Sequence, residues 1–246
     1  MDLKILLPKI NKYNQVFKKS PNTTPAKFEK TPDADSFEMS IGYVNDIHGQ
    51  TNNMMRILSG IKGDLRLSGG DNDIGDEKNK SVHKATTTFL NLANIKATAL
   101  GNHEFDTKQN DFVATVKNYN GSVLAANFSK DDLALQEKKD IEEQGRVELE
   151  DSIKKTKIVE VNGEKIGLVG ASAVDMFERA THPDYHKDCH VDSLEDTIED
   201  IQEEVNDLKD QGINKIVLLS HLGYKRDKVV AKNTKGIDFF KAIRYD

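Results

Sequence analysis

The chain has 246 residues, 37% of them hydrophobic and 31% charged, with a formal net charge of -6. That length allows one large domain or two small ones, and the composition is that of a soluble globular protein. The acidic balance excludes a broad nucleic-acid footprint, which needs a basic surface. An acidic protein can still take a phosphate ester where bound cations supply the positive charge. The single cysteine, Cys189, rules out an intramolecular disulfide and leaves the redox compartment open. No apolar run reaches the length of a membrane span, and the short apolar patch before Pro8 has no small-residue cleavage site after it. Neither a membrane partner nor a signal peptide is therefore expected, and the default location is cytoplasmic.

Residues 1–36 read as a polar leader or arm, with Lys, Pro, Thr and Asn concentrated between Asn11 and Asp35. From Phe37 onward, strands and helices alternate. A β-prone run from Met39 to Val44 ends at Asn45-Asp46. Thr51 to Ile61 has helical spacing, with Met54, Met55, Leu58 and Ile61 on one face. A short strand from Asp64 to Leu67 ends at Gly69-Gly70-Asp71. A helix is expected over Val82 to Ala93, and a strand over Ala97 to Leu100 that ends at Gly101-Asn102-His103. Asp111 to Tyr119 reads as a short helix and Ser122 to Ala126 as a strand ending at Asn127. The charge-dense stretch from Lys130 to Lys155 reads as a solvated helical insertion. Two β-rich runs around Asn162-Gly163 form a hairpin signature. Asp192-Ser193 can cap a helix that runs to about Asp210 on Leu194, Ile198, Ile201, Val205 and Leu208, with Gly212 as its stop. Lys215 to Leu219 is a buried strand ending at Ser220-His221. The alternation argues for an α/β domain with a mixed sheet, whose ligands sit beyond the carboxyl ends of the strands.

Polar motifs fall at those ends. Asp46 and His48, two apart at a strand end, would point the same way and offer one carboxylate and one imidazole to a metal. Taken alone, such a pair is usually an ordinary turn. Asp71 has two oxygens and could bridge two cations, although in isolation a Gly-Gly-Asp-Asn turn is the better explanation. Asp73 is a weaker candidate, and Asp76 reads as a loop carboxylate. The Asn102 amide oxygen suits a cation already held by charged ligands. His103 could give a proton to a leaving alkoxide, with Asp106 fixing its tautomer and favouring the protonated ring. Glu104 reads as a charge that favours a helix N-terminus. His221 alone would be structural after its buried strand. The weight lies in four strand ends that each present a metal-competent group.

Together, Asp46-x-His48, Gly70-Asp71, Gly101-Asn102-His103-Glu104 and Ser220-His221-Leu222-Gly223 resemble the calcineurin-like metallophosphoesterases. Asn102 to Asp106, Ala126-Asn127 and the Asn162-Gly163 hairpin resemble the 5'-nucleotidase branch. The resemblance covers roughly Ser40 to Asp238 and implies a four-layer α-β-β-α metallophosphoesterase sandwich. It implies metal-dependent hydrolysis of phosphomonoesters, nucleotide-like ones among them, by a metal-bound hydroxide at a dinuclear site. Asp46 and His48 would hold the first metal, Asp71 would bridge, and Asn102 and His221 would hold the second. His103, oriented by Asp106, would be the acid. Such nitrogen and oxygen donors suit Mn, Zn, Fe or similar ions. Periplasmic or secreted members of the family exist, which sets an alternative to the cytoplasmic default.

The family carries a further Gly-His-x-His motif after a Gly-Ile-Asp-apolar strand. Here Gly236-Ile237-Asp238-Phe239-Phe240 is followed by Lys241 to Asp246 without those histidines. The resemblance thus implies a catalytic domain over 37–246 truncated before its last metal-binding motif, a weaker second ion, and an incomplete second sheet. The exposed apolar edge at Phe239 and Phe240 would then favour self-association. A catalytically impaired remnant that binds metal or phosphate without turnover is the alternative to an active enzyme. His182, His186 and His190 form a loop cluster whose spacing could suggest metal binding, with a polar surface loop near the site's rim as the simpler reading. Asp238 or Asp246 could replace a lost ligand only if the tail folds back.

Overall fold

The computed structural model describes residues 3–8, 36–73, 80–130, 149, 151–180 and 189–241. In chain order the elements begin with β1 (Leu3–Pro8), β2 (Ser36–Val44), α1 (Thr51–Gly60), β3 (Leu65–Ser68), α2 (Lys80–Leu92), β4 (Ala97–Ala99) and a 3-10 turn at His103–Phe105. There follow α3 (Gln109–Lys117), β5 (Ser122–Leu124), β6 (Phe128–Lys130), β7 (Ile153–Lys154), β8 (Thr156–Val161) and β9 (Glu164–Ala171). The last elements are α4 (Met176–Arg179), β10 (Cys189–Val191), α5 (Leu194–Asp210), β11 (Ile216–Ser220), α6 (Tyr224–Asn233) and β12 (Phe239–Lys241).

The strands form a six-stranded sheet in the order β1-β2-β3-β4-β5-β7, a four-stranded sheet in the order β12-β11-β9-β8, and a small β10-β6 pair. Pairing is parallel from β2 through β7 and antiparallel between β1 and β2. In the second sheet β9, β11 and β12 run parallel, and β8 returns antiparallel to β9. The β8–β9 turn is tight because Asn162 and Gly163 both take positive φ, at 51° and 79°. Asn-Gly supplies that geometry at low steric cost.

The sheets face each other through an apolar layer. Met39, Ile41, Leu65, Leu67, Ala97, Ala99 and Leu124 of the first meet Val161, Ile166, Leu168, Val217 and Leu219 of the second. Strand periodicity decides which side chains enter it. In β11, Val217 and Leu219 point into the layer, while Ile216 and Leu218 face α5 and α6 on the outside. A separate core, with Met54, Phe89, Leu90, Phe112 and Val113, packs α1, α2 and α3 on the outer face of the first sheet. The result is helix, sheet, sheet, helix. Helix α5 starts where expected: the Ser193 side chain accepts from the Asp196 N–H, and Gly212 beyond its end has φ 81°.

Three expectations differ from the structure. Leu3–Pro8, inside the span read as an arm, pairs with β2 as an edge strand, in keeping with its run of Leu and Ile; residues 9–35 lie outside the described residues. The charged stretch is not helical to Lys155, because Ile153–Lys154 adds β7 beside β5; residues 131–148 and 150 also lie outside the description. Phe239 and Phe240 do not form an exposed apolar edge. Both are half-buried, Phe239 against the inter-sheet layer and Phe240 against the core under α5 and α6. No helix among the described residues is long and apolar enough to cross a membrane.

Candidate metal centre

The loops after β2, β3 and β4 converge beside the loop after β11. Strand β2 ends at Val44, so simple strand alternation does not align Asp46 with His48. Instead the two loops after β2 and β3 continue to hydrogen-bond. The N–H groups of Asp46, His48 and Gly49 donate to the carbonyls of Gly70, Asp71 and Asn72, at 3.1, 3.1 and 3.0 Å. To do so the backbone enters the left-handed region at Asp46, His48 and Asp71, with φ of 51°, 48° and 50°. Such conformations cost about 1 kcal/mol or more each and persist where surroundings enforce them, as at ligand sites.

Asp71 is the hub. It is 2% exposed and belongs to both sets of donors that lie within 4.8 Å of one another: His48, Asp71 and His103, and Asp46, Asp71 and His221. Asp71 Oδ2 is 3.2 Å from His221 Nε2, and Asp71 Oδ1 accepts from the His103 backbone N–H at 3.0 Å. Burial pushes the Asp71 carboxyl up, but the hydrogen bond and charge of His221 outweigh it and hold it low. Burial pushes His221 down, and its bond to Asp71 reverses that and raises it. Gly101 lets this loop approach Asp71, since a Cβ there would come within 2.2 Å of Asp71 Oδ1.

His221 reaches the first sheet by the parity of its strand. It follows Val217 and Leu219 by even steps, and its N–H continues the ladder to the Ala171 carbonyl at 2.8 Å. Its Nδ1 meets the Gly69 carbonyl at 2.7 Å, which fixes the tautomer and turns Nε2 toward Asp71. His103 Nδ1 meets Asp106 Oδ2 at 2.5 Å. That bond, against some burial, raises the His103 pKa. The His48 and His103 rings sit edge to face, 4.7 Å between centroids. Asn102 is buried at the start of the 3-10 turn, next to His103.

Two groups of carboxylate and imidazole donors share Asp71. His221 groups with Asp46, and His48 with His103. Asp46 Oδ1 also lies 3.8 Å from His48 Nε2. The donor set fits divalent cations: carboxylates and imidazoles converge, a shared carboxylate sits in the middle, and a backbone carbonyl orients one imidazole.

Glu104 is not an exposed helix-dipole charge. It is buried, and its oxygens accept the N–H groups of Asn72, Asp71 and Gly101 at 2.9, 3.2 and 2.9 Å. It clamps the Asp71 loop to the Asn102 loop. Burial, aided by the Asp71 charge and opposed by those N–H bonds, pushes its carboxyl up to about 7. Its place directly after Asn102-His103 was the available signal. Asp73 pairs with His83 and joins neither donor set, while Asp76 lies outside the described residues. His190 is exposed in β10, and His182, His186 and Asp246 lie outside the described residues. Asp238 does not fold back to the site. Its Oδ2 accepts from the Ile216 N–H at 2.9 Å, at the end of β11 opposite His221. Asn127 is a structural joint, tying Ser172 and Thr197 together.

A family model for calcineurin-like phosphoesterases matches residues 39–243. The chain belongs to that family. As a calcineurin-like phosphoesterase it is 32% identical over 154 residues to a 5'-nucleotidase of Diplobatis ommata, which covers 61% of this chain and 23% of that protein. It is likewise 32% identical over 154 residues to the NAD 5'-nucleotidase of Haemophilus influenzae, covering 63% of this chain and 23% of that protein. The solved 5'-nucleotidase precursor of Thermus thermophilus superposes with a TM-score of 0.62 at 24% identity, covering 81% of this phosphoesterase chain and 40% of the other. The chain thus spans about a quarter of the length of the two relatives. Its family hydrolyses phosphoesters with divalent metals.

Proposed function

We propose that this chain hydrolyses phosphomonoesters, with nucleotide-like esters as the substrate class, at a pair of divalent cations centred on Asp71. The observation that carries the reading is that Asp71 belongs to both donor sets. Asp46, His48, Asp71, Asn102 and His221 would hold the ions. Divalent cations supply Lewis acidity there, offsetting phosphoryl charge and acidifying water.

His103 holds the proton. Its Nδ1 is engaged by Asp106, so Nε2 is the nitrogen that can deliver one to the leaving oxygen. In the reaction a bond from phosphorus to a water oxygen forms, the ester P–O bond breaks, the departing alkoxide takes the His103 proton, and the proton lost by the water passes to solvent, from which His103 is reprotonated. Glu104 acts by holding the Asp71 and Asn102 loops together. The 5'-nucleotidase names of the relatives support the nucleotide class, and nothing in the site's donors opposes it.

The test is hydrolysis of p-nitrophenyl phosphate and of a nucleoside monophosphate by purified protein in added manganese. Turnover that disappears in Asp71→Ala is expected. Metal-loaded, folded protein without turnover above background would contradict the catalytic reading and favour the impaired remnant.

A further inference from the structure

Lysine 241 is a buried ammonium beside the metal centre. It lies on β12, opposite Leu219 in the parallel register, and is 2% exposed. The other buried lysine among the described residues, Lys215, has the Glu164 carboxylate at 2.9 Å. Lys241 has no such direct partner among the described residues. Its Nζ donates to Asn45 Oδ1 at 2.9 Å and lies 4.9 Å from the centre of the Tyr43 ring. Asn45 in turn donates from Nδ2 to Asp46 Oδ2. Since a buried charge is costly without compensation, the position of this one calls for an explanation.

The relay supplies it. With its carbonyl oxygen taken by Lys241, the Asn45 amide must turn its NH2 group to Asp46. One Asp46 oxygen is thereby occupied, and the other, Oδ1, is the one near His48 Nε2. The carboxylates whose charge acts on Lys241 are Asp46, on the loop after β2, and Asp227, on α6; Tyr43 of β2 offers only its ring face. Lys241 therefore offsets part of the negative charge that Asp46 adds to the site.

We propose that Lys241 is a positioning residue of the metal centre, a fixed positive charge that acts through Asn45 to restrict Asp46 to one ligating oxygen and to weaken cation binding there. The proposal rests on the dinuclear reading of the site. Like charges a few ångströms apart in a partly buried setting repel by about a kcal/mol or more. Burial also pushes the Lys241 ammonium down to about 8, against the pull of Asp46 and Asp227, so its charge falls away in mildly alkaline solution.

The experiment is calorimetric titration of the full chain with manganese at pH 7.0 and pH 8.8, with melting of the metal-free protein as a control for folding. Lys241→Gln and Lys241→Met should each bind the first ion at least about tenfold more tightly than wild type at pH 7.0. That gap should narrow at pH 8.8, and Lys241→Arg, which keeps the charge, should stay close to wild type. Unchanged or weaker binding in both neutral variants would overturn the proposal, as would a gap that persists at pH 8.8. A wild-type chain that binds no manganese would overturn the reading of the metal centre itself, and this proposal with it.

Discussion

The two sheets share one core but contribute unequally to the site. The loops of the first sheet carry Asp46, His48, Asp71, Asn102 and His103, and converge through local backbone bonds between neighbouring strand ends. The second sheet contributes His221, which meets the Gly69 carbonyl from 152 residues away in sequence. One half of the site is assembled by loop pairing and the other by sheet-on-sheet packing. Damage to a loop should act on chemistry directly, whereas damage to the inter-sheet layer should act on chemistry only by moving His221.

The largest expected effect comes from the residue that joins the halves. Asp71→Ala should lower kcat/KM on p-nitrophenyl phosphate by at least about 10^3-fold, more than the loss of a single electrostatic donor. Activity within tenfold of wild type would break the comparison. Next comes His103→Ala, which should cost about 10^2 to 10^4-fold in kcat. Asp106→Asn should cost about 10 to 100-fold, on the scale of a lost supporting contact. Because Asp106 raises the His103 pKa, the loss of rate with rising pH should begin at lower pH in that variant. A pH–rate profile reads this.

Packing tests the second half. Leu219→Ala in the inter-sheet layer and Ile201→Ala under α5 should each cost about 2–5 kcal/mol by chemical denaturation. Both residues are fully buried. The account separates them by activity per folded molecule: Leu219→Ala should lose it as His221 shifts, and Ile201→Ala should keep it. Equal loss in both would erase the distinction.

The smallest effect is electrostatic. Asp227 is buried on α6 and accepts from Ser220 Oγ at 2.5 Å, and burial pushes its carboxyl up to about 6. Its raised value means the folded state favours the proton. The stability it contributes is complete below the unfolded value near 4 and is lost as pH rises through about 6. Asp227→Asn should therefore raise stability at pH 8 by about 3 kcal/mol and change it little at pH 4. Melting curves at the two pH values decide it.

Much of this was legible in the sequence because local rules governed it. The Asn162-Gly163 hairpin, the Ser193 cap and the buried run of β11 follow from propensity and period, and each forms within a residue or two of its expected span. The strand-end motifs were legible together because each closes a parallel strand. What sequence could not supply was tertiary. The left-handed turns at Asp46, His48 and Asp71 exist only because two loops bond to each other. The burial of Glu104 depends on three N–H groups from separate segments, so its short-range reading as a helix charge misled. Strand β1 pairs across a long intervening segment, and Lys241 became meaningful only when β12 brought it to Asn45.

The central claim is that Asp71 joins two ion positions. Equilibrium dialysis against manganese, with the bound metal counted per chain, tests it most directly. The account predicts two ions in the wild type, one in His221→Ala and none in folded Asp71→Ala. Two ions retained by Asp71→Ala would contradict it.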